Sequence, residues 1–351
     1  MGPAIATRII LNSALKHHFR LIHLQTRLNK DLKDMGSRNA LKLLRLFWQY
    51  FNYILKIIFH NPDLVLIPIS QSWSGFKKDA AFIKLGSILR RKMLIHLRGS
   101  NFKNFYLHST AGKQEYIANV LGKSVGAIVL GENLRYIFED FFPPTEIFVV
   151  PNGADYEITV PEKKETVFRI VYLGNLQPSK GIEDVVESLI LLPEEYHKSV
   201  LLVVVGAWRD EATKARLRSR IAEYDLPVNF KDVHVGKDKL KILTDSDVLI
   251  FPPREPEGHP WVIIEAMAAG LPVIATDQGA IVESVADGRN GYIVPKRDPE
   301  AIAEKIRFLL ENPDIRRKMG EESRKLYQEK FTEEKMVVRL RQVFTEVIEK
   351  K

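Results

Sequence analysis

From residue 60 onward, short, wholly apolar runs alternate with stretches in which apolar positions recur every three or four residues, the pattern of parallel strands joined by crossover helices. Leu64–Ile69, Met93–Leu97, Ala127–Leu130 and Ile147–Val150 read as buried strands of a first half. Phe168–Leu173, Leu201–Val205, Val248–Phe251, Val273–Ala275 and Tyr292–Val294 restart the series, with helices predicted over Ile182–Leu192, Ala212–Tyr224, Pro260–Ala269 and Pro299–Leu310. Two polar helices are predicted over residues 313–350. The turn signal Pro151-Asn152-Gly153 and the charged stretch Glu157 to Thr166 separate the halves. The predicted fold class is α/β, with two Rossmann-like doubly wound parallel-sheet domains facing a central cleft. Residues 1–155 and 156–330 make the two domains, and 331–351 a C-terminal helix that packs back on the first. In such sheets ligands sit beyond the carboxyl ends of the strands, so the loops at 70–76, 97–104, 174–181, 206–210 and 252–260 are predicted to face one cleft.

Ala40 to Phe59 is the most apolar stretch, broken by Lys42, Arg45, Gln49, Asn52 and Lys56. Their spacing of 3, 4, 3 and 4 lays one polar stripe along a greasy helix. Cations near mid-span would cost roughly 2.5–3.5 kcal/mol each, so no transmembrane helix is predicted. The helix either packs between a sheet and a neighbouring helix or touches a membrane surface. No N-terminal segment carries the apolar core and cleavage site of a signal peptide.

The 351 residues, 45% hydrophobic and 27% charged, suit a globular chain with two cores. The absence of cysteine removes disulfides, thiolate metal sites and cysteine nucleophiles. Charge is uneven: residues 1–150 hold 21 Lys+Arg against 9 Asp+Glu, a net of +12, leaving −4 for the remainder. A basic first half points to an anionic partner, a membrane leaflet or nucleic acid.

Glu257 and Glu265 bracket Gly258-His259-Pro260 and the start of a helix. A helix N-terminus offers unpaired N–H groups to phosphate, and nearby carboxylates accept hydrogen bonds from sugar hydroxyls, so the pattern points to a nucleotide sugar. Gly174-Asn175-Leu176 closes a strand, and Ser179-Lys180-Gly181 opens the next helix. Lys180 can neutralise a diphosphate there, or be a surface lysine at a helix start. The segment is neither a P-loop nor a G-x-G-x-x-G fingerprint.

The segment SDVLIFPPREPEGHPWVIIEAMAAGLPVIATDQGAIVESVADGRNGYIV at 246–294 resembles the donor-binding half of the retaining nucleotide-sugar glycosyltransferases of family four, glycosyl transferases group 1, whose architecture is called GT-B. YLGNLQPSKGI at 172–182, VVPNGAD at 149–155 and IHLRGSNF at 95–102 extend the resemblance over roughly residues 60–330. It implies that Glu265 binds the donor ribose, that Glu257 holds or orients the transferred sugar, and that the amides of Gly258, His259, Trp261 and Val262 contact sugar and phosphate. Pro260 has no N–H to give. Gly174 and Lys180 match the phosphate loop, whereas Asn175 stands where the family usually has Arg. One positive charge is missing there unless Arg209, Arg254 or a group of the first domain replaces it. The base is placed near Val233–Val235, with Val235 in the donor site. Glu283 lies either near donor sugar or phosphate or on a solvated helix.

Arg98 stands where many members carry histidine, and strand alternation puts His96 on its face. Arg98 can neutralise phosphate or position an acceptor hydroxyl but cannot act as a base. His96 is otherwise a buried, satisfied histidine. Glu257, Arg98, His96 and Lys180 are the catalytic candidates. The acceptor side comprises Gly2, Trp73, Arg98, Gly99 and Ser100, with Trp73 stacking on an acceptor sugar or serving as a half-buried loop aromatic. Met1 to Thr7 resembles the tail of the family's first Gly-Gly loop running straight into a helix, with the first strand absent.

The resemblance implies retaining, metal-independent transfer from a nucleoside-diphosphate sugar to a glycan or lipid-linked acceptor, without a cofactor, in cell-envelope polysaccharide biosynthesis. No Asp-x-Asp metal signature sits at a strand end. A glycosidase is disfavoured because Glu257 and Glu265 have separate jobs. The alternatives are a nucleotide-sugar epimerase on the same fold, or a catalytically impaired protein that binds sugar nucleotides or nucleic acid. Lys16, His17, His18, Arg20, Arg27, Lys30, Lys33 and Arg38 surround the amphipathic helix, and basic residues near an anionic leaflet add about 1 kcal/mol each. They predict a cytoplasmic protein bound peripherally to the inner face of the membrane, with no nucleic-acid partner.

Overall fold

Runs of branched apolar residues, too short for helices and buried on both faces, form the strands of two parallel sheets in this computed structural model. It describes residues 2–26, 40–159 and 167–350. Of the predicted basic cluster, Arg27, Lys30, Lys33 and Arg38 lie outside the described residues, as does 160–166 of the linker. The first sheet contains β1 (Leu64–Ile69), β2 (Lys92–Leu97), β3 (Gly126–Val129) and β4 (Ile147–Val149), in that spatial order. Before β1 the described chain is helical, over Gly2–Asn12 and Ala40–His60. Gly2 is the first residue of its helix.

The second sheet holds β5 (Phe168–Leu173), β6 (Val200–Val205), β7 (Val228–Lys231), β8 (Val248–Phe251), β9 (Val273–Thr276) and β10 (Gly291–Val294). Its order, β10-β9-β8-β5-β6-β7, reverses between β5 and β8. That reversal leaves a crevice beyond the carboxyl ends of β5 and β8, where the loops 174–181 and 252–260 diverge. The first sheet has no such reversal among its described strands. Edge strand β7 lies outside the predicted set, because the alternation of half-buried and exposed residues in Val228-Asn229-Phe230-Lys231 gives no apolar run.

The helix Glu333–Glu349 packs Leu340, Val343 and Phe344 onto Leu94 and Ile128 of the first sheet, and Lys92 donates to the carbonyls of Val347 (3.0 Å) and Ile348 (2.8 Å) at its end. Met93, Ile95 and Leu97 face the opposite side, against Phe76, Ile83 and Ile117. Alternation therefore directs Leu94 and His96 to one face and leaves Arg98 at its outlet.

The helix Ala40–His60 departs from the prediction of burial between sheet and helix. It packs through Tyr53 and Ile57, with Tyr50 and Tyr53 against Phe82. Its opposite face exposes Leu44, Phe47, Trp48, Phe51, Ile58 and Phe59. The polar stripe runs along the border between the faces, with Gln49 buried and Arg45 exposed. One helical neighbour covers only one side of a helix that is apolar on two.

Candidate functional site

The carboxyl ends of the two sheets face each other, tied by hydrogen bonds between the domains. The amide of Asn133 donates to Glu283 Oε1 (2.8 Å), and its carboxamide donates to the carbonyl of Gly279 (2.6 Å). Glu283 is thus a bridge rather than a solvated helix residue. Gly258 lies so close to the Arg98 backbone that a Cβ would collide with that carbonyl oxygen. Loops after β2 and β8 therefore form opposite lips of one cleft.

On the second-domain lip, Lys180 and Glu257 form an ion pair, half-buried on both sides. Burial pulls the Lys180 pKa below the ordinary lysine value. The turn just after it is tightly specified: Gly181 has φ +74°, and a side chain there would strike the Pro252 carbonyl. The Ser179 carbonyl accepts from the Arg254 amide (3.0 Å), joining the loops that follow β5 and β8.

Pro260 caps the helix Trp261–Ala268, whose first amides lack intrahelical partners. Among the described residues the N–H groups of Gly258, His259, Trp261 and Val262 are taken by no other group. One turn further, Glu265 is buried and ion-paired with Lys239. Burial raises its pKa and Lys239 opposes the rise. Lys239 belongs to the helix Gly236–Thr244, which begins just after the exposed Val235. The sequence pattern singles out Val235 but not Lys239, since only the fold brings residue 239 to residue 265.

Asn175 is not bare. Its Oδ1 accepts from Arg209 Nε (3.1 Å) and Nη2 (3.0 Å), which brings a guanidinium beside the position where the resemblance implies a missing charge. Arg254 is excluded as that replacement: Asp184 and Glu183 hold it at 2.5–2.8 Å through all three nitrogens. Gly174 donates its amide to Val205 and turns the chain out of β5.

The His259 side chain is structural. Its Nδ1 accepts from the Asn152 amide (3.1 Å) and Nε2 lies 2.6 Å from Ser284 Oγ, which fixes the Nε2–H tautomer, while Asn152 Nδ2 donates to the His259 carbonyl (2.8 Å). Burial and the nearby Arg339 lower its pKa to about 3, so it stays neutral as a rivet between the interdomain turn and the site loop. Sequence reading gives residue 259 only a backbone role.

On the first-domain lip, His96 and Ser100 are buried and Arg98 is largely so. Among the described residues, both ring nitrogens of His96, Nε and Nη1 of Arg98 and Oγ of Ser100 have no hydrogen-bond partner. His96 is therefore buried but not satisfied, contrary to the alternative weighed for it. Burial, and then Arg98, push its pKa well down. Gly99 is overlaid by the Gln71 carboxamide, which also accepts from the Asn101 amide and ties the loops after β1 and β2. Trp73 is the first residue of the helix Trp73–Ile88, not a loop aromatic, and packs edge-on to Tyr116 (5.8 Å) with Lys77 and Lys113 over its ring. That packing occupies the ring within its own domain.

Among the described residues, no three His, Asp or Glu side chains gather closely enough to hold a metal ion.

Residues 156–326 match the family model of glycosyl transferases group 1. The uncharacterized glycosyltransferase MJ1069 of Methanocaldococcus jannaschii is 25% identical over 326 residues, covering 86% of this chain and 79% of that protein. The capsular polysaccharide biosynthesis glycosyltransferase CapM of Staphylococcus aureus is 34% identical over 172 residues, covering 47% of this chain and 42% of that protein. The chain thus aligns with less than half of CapM. Among solved structures, Anabaena HepE in complex with UDP superimposes with a TM-score of 0.73 at 18% identity, covering 88% of this chain and 84% of that one. A glycosyltransferase from Rickettsia africae superimposes with a TM-score of 0.73 at 19% identity, covering 96% and 87%. The two parallel-sheet domains have the GT-B fold.

Proposed function

We infer that this chain, which belongs to the glycosyl transferases group 1 through residues 156–326, moves a sugar from a nucleoside-diphosphate sugar to a glycan or lipid-linked acceptor with retention at the anomeric carbon. One observation carries the reading: at the only order reversal among the described strands, Lys180, Glu257 and the free amides of the helix Trp261–Ala268 converge. Lys180 and those amides suit the diphosphate, Glu257 the transferred sugar, and Glu265 the ribose hydroxyls. Glu283, Gly174 and Val235 border the same site. In transfer, the bond from the anomeric carbon to the phosphate oxygen breaks and one to the acceptor oxygen forms. Lys180 and Arg209 stabilise the departing diphosphate, the task a metal ion would otherwise perform.

Retention fits the basic groups on the opposite lip. Burial suppresses the basicity of His96, and Arg98 stays protonated at neutral pH. The proton of the acceptor hydroxyl then passes to the departing diphosphate. HepE was solved with UDP, so UDP sugars are the first donors to test, followed by GDP, ADP, CDP and dTDP sugars. A true donor at 100 times its dissociation constant stabilises the protein by about 2.7 kcal/mol and raises its melting temperature. A flat response to all five nucleotides would sink the proposal.

Participation of CapM in capsular polysaccharide biosynthesis suggests an envelope polysaccharide as the product. The exposed apolar face of the helix Ala40–His60 gives the acceptor side a membrane-facing surface, bordered by Arg45 and Lys56. Among the described residues no helix is long and apolar enough to cross a membrane. Phe47→Ser with Trp48→Ser is expected to abolish co-sedimentation with vesicles containing phosphatidylglycerol at low salt. Equal sedimentation of wild type and variant would remove the membrane role.

A further inference from the structure

We propose that the outlet of β2 is an oxyanion subsite on the acceptor side of the cleft, built from Arg98, Ser100 and His96, for a carboxylate or phosphate that is not the donor's diphosphate. The inference rests on the sugar-transfer reading and names an acidic substrate class for it.

A buried polar group without a partner is costly, more so when charged, and such groups are few in folded proteins. Here three consecutive alternate residues carry five unpartnered buried atoms. Arg98 forms no ion pair among the described residues, whereas Arg254, similarly enclosed, is fully held by Asp184 and Glu183. The cluster offers a rigid forked donor, a hydroxyl and an imidazole within five residues at the end of β2, the donor types that a planar carboxylate or a phosphate satisfies.

Charge counting decides which oxyanion it is. The two phosphates of a donor already have Lys180 and Arg209 on the opposite lip, together with the helix amides. Arg98 is a third cation, and it approaches the site from the other sheet, meeting Gly258 through its backbone. Its charge answers a group further along the ligand, an acidic substituent on the transferred sugar or on the acceptor.

Calorimetry on the full chain saturated with UDP tests this with glucuronate, glucose 1-phosphate and glucose as probes. Glucuronate or glucose 1-phosphate is expected to bind at least tenfold more tightly than glucose, the better of the two identifying the anion, and Arg98→Met is expected to erase the preference while leaving UDP affinity within threefold. Arg98→Met is also expected to raise the melting temperature without ligand, because it removes an uncompensated buried charge. Equal binding of glucose and both anions, a tenfold loss of UDP affinity in the variant, or a lowered melting temperature would each overturn the subsite. If the wild type binds no nucleotide, the transfer reading falls, and the same titration run without UDP still decides whether the anion binds at Arg98.

Discussion

Glu257→Gln is expected to lower the turnover number about a hundredfold to a thousandfold while leaving the dissociation constant for UDP unchanged or smaller. Lys180 and Glu257 form a half-buried ion pair. Glu257 holds Lys180, so a donor must draw the ammonium away from the carboxylate before the diphosphate can use it. Glutamine keeps the shape and hydrogen-bonding capacity but releases that hold, so nucleotide binding has less to displace. The transferred sugar, in contrast, loses the charged acceptor that fixes its hydroxyls, and misplacement by about 1 Å can cost a hundredfold in rate. Steady-state kinetics beside UDP calorimetry separates the two effects. Turnover within threefold of wild type would show that Glu257 does not orient the sugar.

How much of this site was legible before the structure depended on whether a residue acts through its neighbours in sequence or through the fold. Strands β1, β5 and β8 have the predicted boundaries because each is a short, mostly apolar run, with only Pro68 and Arg169 exposed. Glu257, Lys180 and Glu265 stand out in the sequence because they fall in the loops and the helix turn that carry the family resemblance, and the fold pairs two of them, Lys180 with Glu257. Lys239 was not, since its partner lies 26 residues away on another helix. The helix starting at Trp73 was masked by Ser-Trp-Ser-Gly, which reads as a turn. Gly75 is required there for another reason: a Cβ would meet Ser70 where the helix crosses the end of β1. Asn175 reads as a lost charge in the sequence, and only the folded loop after β6 returns one through Arg209.

The unpartnered cluster at His96, Arg98 and Ser100 is the opposite case, in which correct strand periodicity gave no hint of function. Alternation predicted that 96 and 98 share a face, but an arginine at a strand end usually reaches water. Gly258 of the other domain packs over the Arg98 backbone there. Interdomain ties run through Asn133, which carries no motif, and through Asn152, which reads in the sequence as part of a turn.

Lys180→Met should reduce kcat/KM by about two to three orders of magnitude and weaken UDP binding roughly tenfold to a hundredfold, the loss of a hydrogen bond to a charged group being about 1.5–3 kcal/mol. Two effects act together. The diphosphate loses its point charge, and Glu257 is left half-buried without its cation, facing an incoming anion. The second effect makes the damage exceed the loss of the lysine itself, and a cycle with Glu257→Gln measures the excess. UDP affinity in the Lys180→Met, Glu257→Gln double variant should recover part of what Lys180→Met alone loses, because the uncompensated carboxylate is gone, while turnover stays low. Lys180→Arg should retain part of the affinity, since it keeps the charge but cannot pack its broader head beside Glu257 in the same way. Strictly additive losses in UDP affinity would show that the pair does not gate the phosphate site, and wild-type kcat/KM in Lys180→Met would remove the lysine from catalysis altogether.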